Sequence, residues 1–171
     1  MPFRYFEDFQ LGEKLELGSY AVDEAEILAF ARQYDPQRMH VDPDFARQTT
    51  FGGLIASGWH TSAMFMRLLA DGLLLESSAI ASPGVDGIRW IRPVRPGDVL
   101  RADATAVEVT PSRSRPDRGL VKHDCTVINQ NNELVMTLRT LALFSRRPSN
   151  GQPPNGKPSS GRPLHAAGTT G

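Results

Sequence analysis

Hydrophobic positions along the chain change spacing twice, and those changes divide it into elements. From Glu13 to Val22 the pattern is that of a first strand. Asp23-Glu24-Ala25-Glu26 then forms a capping box, with Asp23 in the place usual for Ser or Thr. Behind it Ile27, Phe30, Ala31 and Tyr34 recur at helical spacing and predict a short amphipathic helix with one buried stripe. Pro36 ends that helix, because the residue before a proline is pushed out of the α region. That residue is Asp35. Asp42-Pro43 pairs an N-cap with a proline at the first helical position and opens a second short helix, anchored by Phe45. Phe51-Gly52-Gly53 marks a loop. Ser57 then caps a long helix running to Leu75. Met64, Met66, Leu68, Leu69, Leu73 and Leu74 make this helix apolar over most of its circumference, so it is expected to be buried inside a sheet.

The second half changes to strand spacing. Val85 to Val94 is one strand, stopped by the turn signal Pro96-Gly97. Asp98 to Thr110 alternates, with Ala102, Ala104 and Ala106 on one face and Arg101, Asp103 and Thr105 on the other. Pro111 to Arg118 is a basic loop. Gly119 to Asn129 and Glu133 to Ser145 are two further strands, joined by a tip containing Asn131-Asn132. A strand, helices, one long buried helix and then consecutive antiparallel strands make an α+β fold with a sheet curled around a helix.

Composition sets the limits of this domain. Residues 1–145 form one core-bearing domain within the 171 residues, at 40% hydrophobic content. The stretch 146–171 has Leu164 as its sole large aliphatic residue and no aromatic, so a disordered tail is expected. The formal net charge of zero argues against nucleic acid as the main partner. The single cysteine, Cys125, excludes an intramolecular disulfide and a cysteine-rich zinc site. The N-terminal stretch has early acids and no continuous apolar run, which argues against a signal peptide or a membrane span and makes a cytoplasmic location the expectation.

Two blocks carry a family resemblance. Tyr34-Asp35-Pro36-Gln37-Arg38-Met39-His40-Val41-Asp42-Pro43, followed by Phe51-Gly52-Gly53-Leu54-Ile55-Ala56-Ser57-Gly58-Trp59-His60, resembles the MaoC-like dehydratases and (R)-specific enoyl-CoA hydratases. Arg92-Pro93-Val94-Arg95-Pro96-Gly97-Asp98 is similar to a turn of the same family. The resemblance covers about residues 5–145. It implies a single hotdog domain, in which an antiparallel sheet wraps a central helix, and a homodimer with the active site near the subunit interface. It implies a hydro-lyase that adds or removes water across the C2=C3 bond of a trans-2-enoyl-CoA or (R)-3-hydroxyacyl-CoA thioester. Two departures are visible. Pro36 directly follows Asp35, where some members carry Asn-Pro further on, and Met66 stands where some hydratases have a serine.

Hydrating an enoyl thioester needs a base for water, an acid for the α-carbon and a donor for the thioester oxygen. A carboxylate and an imidazole around one water meet the first two needs, and Asp35 and His40 are the candidates. Their five-residue gap does not suit one helical face, so a proline-initiated loop is expected to turn both inward. Desolvation beside an acyl pocket would raise the pKa of Asp35. Read alone, the same two residues would cap a turn and satisfy a loop carbonyl. Gly58, at the head of the long helix, is the candidate oxyanion donor through its backbone N–H, or else a small residue needed for close packing. Ser57, Trp59, Met66, Arg92 and Arg95 are candidate substrate-binding residues, with Met64 and Phe65 beside Met66 along an acyl channel. Arg89 with Arg92 and Arg95, or Arg113, Arg115 and Arg118 with Lys122, could meet the phosphates of coenzyme A. His60 is expected to pack rather than react. No metal and no cofactor beyond the coenzyme A of the substrate is expected. The competing functions are a hotdog thioesterase and a non-catalytic acyl-CoA-binding protein. The first would want a helix acid where this chain offers only the distant Asp71.

Overall fold

Asp23 begins the first helix by accepting hydrogen bonds from the N–H groups of Ala25 and Glu26, one half of the expected capping box, while the Glu26 carboxylate accepts from the Tyr20 hydroxyl instead of the Asp23 N–H. The computed structural model describes residues 3–148. Its elements are β1 (Lys14–Ala21), α1 (Glu24–Tyr34), α2 (Arg38–Val41), α3 (Pro43–Arg47), α4 (Gly58–Leu69), β2 (Ala79–Trp90), β3 (Val99–Pro111), β4 (Arg118–Ile128) and β5 (Leu134–Ser145). A short 3-10 turn, Phe6–Asp8, precedes β1, and a π-helical turn, Ala70–Leu74, prolongs α4. The five strands form one antiparallel sheet in the order β1-β3-β4-β5-β2. This is the α+β hotdog architecture, with α4 as the central helix.

Side-chain alternation decides which face of the sheet meets α4. Ala102, Ala104 and Ala106 on β3 and Val121, Cys125 and Val127 on β4 are buried, while their neighbours are partly or fully exposed. The three alanines keep β3's inner face low, so that α4 can lie close. Met64, Phe65, Leu68 and Leu69 of α4 join the same core. The π-helical turn settles against a bulge in β1: a Cβ on Gly72 would stand 2.7 Å from the Cα of Leu17, so only glycine fits that crossing. At the hairpin tip Asn132 takes a left-handed φ of 61°, a conformation that Asn tolerates.

Three expectations change. α4 is not enclosed all round: Trp59 is 59% exposed and Met66 46%, because the sheet covers one side of the helix and leaves the other open toward β2. β2 starts at Ala79, earlier than the predicted Val85, and ends at Trp90 rather than Val94. Ser82-Pro83-Gly84 lies within it, since an edge strand can accept a proline's missing N–H and β2 shifts register there. Third, His40 lies on the one-turn helix α2 rather than in a plain loop. Beyond residue 148 the expected tail falls outside the described residues. Arg146 and Arg147 are placed, paired with Glu7 and Asp8 of the N-terminal segment.

Candidate active site

Asp35 sits where α1 stops. Its N–H still bonds the carbonyl of Ala31 at 2.9 Å, but φ −148° and ψ 71° turn the chain out of the helix ahead of Pro36. The next turn folds back at once. The N–H of Gln37 donates to the carbonyl of Asp35, and the N–H of His40 donates to the carbonyl of Gln37, both at 2.8 Å. α2 then carries the imidazole of His40 into the protein, where the residue is buried.

His40 Nδ1 lies 2.8 Å from the carbonyl oxygen of Ile55, which can only accept. Nδ1 therefore carries a proton, and Nε2 faces outward from that bond with its lone pair free in the neutral ring. Nε2 stands 3.6 Å from Oδ2 of Asp35. That separation is too long for a direct hydrogen bond, yet it lets both atoms reach one oxygen atom placed beside them. The bland reading of His40, a carbonyl-satisfying residue, is thus part of the chemical one: the carbonyl selects the tautomer.

The carboxylate is held from both sides. Ser57 Oγ donates to Asp35 Oδ2 at 2.6 Å, and Gln37 Nε2 donates to Oδ1 at 2.8 Å. These bonds lower the pKa of Asp35, Ser57 contributing most, Gln37 next and the neighbouring His40 least, against the opposing push of burial. The expected upward shift is overturned: desolvation is present but two donors outweigh it. Ser57 is fully buried and also accepts from the N–H of Trp59 at 3.2 Å, so it caps α4 as expected while giving its proton to Asp35. Gln37 and the Ile55 carbonyl are the participants that sequence reasoning missed.

Gly58 is the first residue of α4. A Cβ there would meet the ring of Trp90 at 2.6 Å, so close packing accounts for the glycine. Among the described residues its N–H makes no hydrogen bond, which leaves the donor role open to a ligand as well. Trp90 is locked over this spot, its Nε1 donating to Ser62 Oγ, which donates in turn to the carbonyl of Gly58. Trp59 packs edge-on against Trp90 at 5.2 Å.

From Trp59 a cavity of about 470 Å3 runs between α4 and strands β2 and β5, lined also by Ser62, Phe65, Met66, Leu69 and Leu74 on the helical side. Met64 does not belong to it; that side chain points into the core. The arginines are more scattered. Arg92 pairs with Glu133 at 3.5 Å and donates to the carbonyl of Leu134, beside the start of β5. Arg95 donates to the carbonyl of Phe51 and so ties the β2–β3 connection to the loop that leads into Ile55. Arg118 and Lys122 are paired with Asp117 and Glu108. His60 is buried and stacked on Phe30 at 4.6 Å, the packing role expected of it. Asp71 pairs with Arg67 at the far end of the central helix. Among the described residues no three His, Cys, Asp or Glu side chains converge as a metal site requires, and no helix is long and apolar enough to cross a membrane.

Comparison with known proteins identifies the family and the fold. Residues 8–127 match the MaoC like domain family. The crystal structure of the MaoC-like dehydratase from Rhodospirillum rubrum is 40% identical, with a TM-score of 0.79, covering 85% of this chain and 99% of that one. A 3-hydroxybutyryl-CoA dehydratase of Methylorubrum extorquens is 28% identical over 112 residues, 65% of this chain and 69% of that protein. Protein MaoC of Klebsiella aerogenes is 32% identical over 119 residues, 67% of this chain, which spans only 34% of that longer protein. The chain belongs to the MaoC-like dehydratase family.

Proposed function

We propose that the protein is a hydro-lyase acting on a trans-2-enoyl-CoA or (R)-3-hydroxyacyl-CoA thioester. The observation that carries this reading is the pair of acceptors, Asp35 Oδ2 and His40 Nε2, set 3.6 Å apart with the carboxylate ionised and the imidazole tautomer fixed. A water held between them gives one proton to each as hydrogen bonds. As its oxygen attacks C3, the proton passes to His40 Nε2, and the resulting imidazolium returns it to C2. An imidazole can take and return a proton near neutral pH, whereas a carboxylate whose pKa is lowered is a poor acid. Asp35 therefore orients the water and balances the imidazolium. The free N–H of Gly58 receives the thioester oxygen as it gains charge. The apolar cavity beside Met66 takes the acyl group, and its size is within the ~300–1,000 Å3 range of small-molecule sites. The enzyme name of the Methylorubrum relative supports a thioester substrate.

The same reading includes a homodimer. β2 is an edge strand with Ile80, Val85 and Trp90 exposed along it, and Ile91 exposed just beyond its end. A long, exposed apolar edge invites pairing, and a second copy of the strand would extend the sheet across the two subunits.

The experiment follows loss of the enoyl absorbance with crotonyl-CoA and longer enoyl-CoAs. Turnover is expected, and Asp35→Asn and His40→Ala are each expected to lower kcat by about 100-fold or more with the fold unchanged. Full activity in either variant removes that residue from the mechanism, and failure on every chain length with binding retained returns the protein to a non-catalytic acyl-CoA-binding role.

A further inference from the structure

We propose that Gln37 is a positioning residue for the Asp35–His40 pair, its side-chain amide aiming the carboxylate and its backbone setting the approach of the imidazole. The inference rests on the hydro-lyase reading for its kinetic consequence, but not for its geometry.

Gln37 makes three bonds that no other residue makes between these two groups. Its N–H donates to the carbonyl of Asp35, its carbonyl accepts from the N–H of His40, and its Nε2 donates to Oδ1 of Asp35, each at 2.8 Å. The orientation of the amide is dictated by its partner. An ionised carboxylate can only accept, so the NH2 end must face it. Asp35 is then gripped at both oxygens, Oδ1 by Gln37 and Oδ2 by Ser57. The Ser57 anchor alone would hold Oδ2 but leave the carboxylate plane free to turn about that contact, and with it the direction of the Oδ2 lone pairs toward His40 Nε2. The second anchor removes that freedom.

The residue type has no other explanation in the fold. Gln37 is the N-cap of α2, yet its side chain makes no capping bond, and glutamine is not among the residues preferred at that position. It is exposed, so it fills no core. Among the described residues its only side-chain hydrogen bond goes to Asp35. The backbone bonds would survive almost any substitution; the amide bond would not.

Gln37→Met tests this, because it keeps the length of the side chain and removes only the donor, with Gln37→Ala as a second variant. The first readout is substrate-free: the Asp35 carboxylate is followed by carbon NMR as pH is lowered. Both variants are expected to titrate at higher pH than the parent, with the fold retained and at most a small drop in thermal midpoint. The second readout is kinetic. kcat for enoyl-CoA hydration is expected to fall about ten-fold, as for other groups that orient a reacting side chain, with KM little changed and the acid limb of the pH profile moved up. An upward titration shift in a protein that turns over no enoyl-CoA keeps the positioning role and sinks the hydro-lyase reading alone. Parent-like titration together with parent-like kcat in Gln37→Met overturns the proposal and leaves Gln37 a turn residue.

Discussion

Ser57 Oγ donates to Asp35 Oδ2 at 2.6 Å across 22 residues of chain, joining the head of the central helix to the tail of the first. A single hydroxyl thereby does two jobs, capping α4 and keeping a carboxylate charged. The bond makes the site depend on how α1 and α4 are placed, and it favours the ionised form of the partly buried Asp35 carboxyl.

Ser57→Ala should separate the two jobs. Asp35 has a folded pKa below its ordinary value, so its contribution to stability is present above the unfolded pKa and is lost as pH falls through the folded one. Removing the largest cause of the lowering raises the folded pKa. The acid limb of kcat/KM should therefore move to higher pH, and the helix should lose about 1 kcal/mol of capping. A pH-rate profile and a thermal melt check both. An unmoved acid limb would show that Ser57 only caps.

Gly58→Ala should harm the protein through Trp90. The added Cβ would meet that ring at 2.6 and 2.7 Å, and Trp90 cannot move without breaking its bond to Ser62. Overpacking of this kind costs about 1–3 kcal/mol. Adding Trp90→Ala on top should recover part of the stability, since it clears the space. If Gly58→Ala alone melts with the parent, the crossing is looser than its geometry indicates.

Much of this was legible in the chain, and what was not traces to particular contacts. Local signals held: the Asp23 cap, the stop at Pro36 and the alternation of Ala102, Ala104 and Ala106 all depend on neighbours in sequence. Asp35 and His40 come together because a short turn links them. Of the missed contacts, that of Gln37 is local but carries no sequence signal, and the others depend on approaches between distant segments. The Ile55 carbonyl reaches His40 across 15 residues, and Ser57 reaches Asp35 from the other end of a loop. Without the Ser57 and Gln37 donors, burial alone suggested that the carboxyl pKa would rise. β2 was cut short because Ser82-Pro83-Gly84 reads as a break, which it would be anywhere but on an edge.

Met66 should tune acyl length under the proposed function. It is half-exposed on the cavity wall, with Leu69 and Leu74 beyond it. Met66→Ala widens the channel without touching Asp35 or His40. The ratio of kcat/KM for a long enoyl-CoA to that for crotonyl-CoA should rise by about ten-fold, the scale of small volume changes in an apolar pocket. A fall in both values together would place Met66 in support of the helix instead.

His123 should govern acid stability independently of catalysis. It faces inward from β4, fully buried, edge-on to Phe9, and its Nε2 has no hydrogen-bond partner among the described residues. Burial chiefly, and the nearby Arg4 next, push its pKa down to about 4, while Glu13 pulls the other way. A histidine with a lowered folded pKa favours folding fully above its unfolded value near 6.5, progressively less as pH falls toward the folded value, and at a constant deficit below that. The interval from 6.5 to about 4 corresponds to about 3 kcal/mol. Urea unfolding at about pH 7.5 and about pH 4.5 should show the parent losing most of that amount relative to His123→Leu, which has no proton to bind. His60, whose pKa burial also lowers, contributes equally to both proteins and cancels in the comparison. Identical pH dependence in parent and variant would mean that His123 binds its proton as readily in the folded protein as in the unfolded one, and that burial beside Phe9 does not lower its pKa.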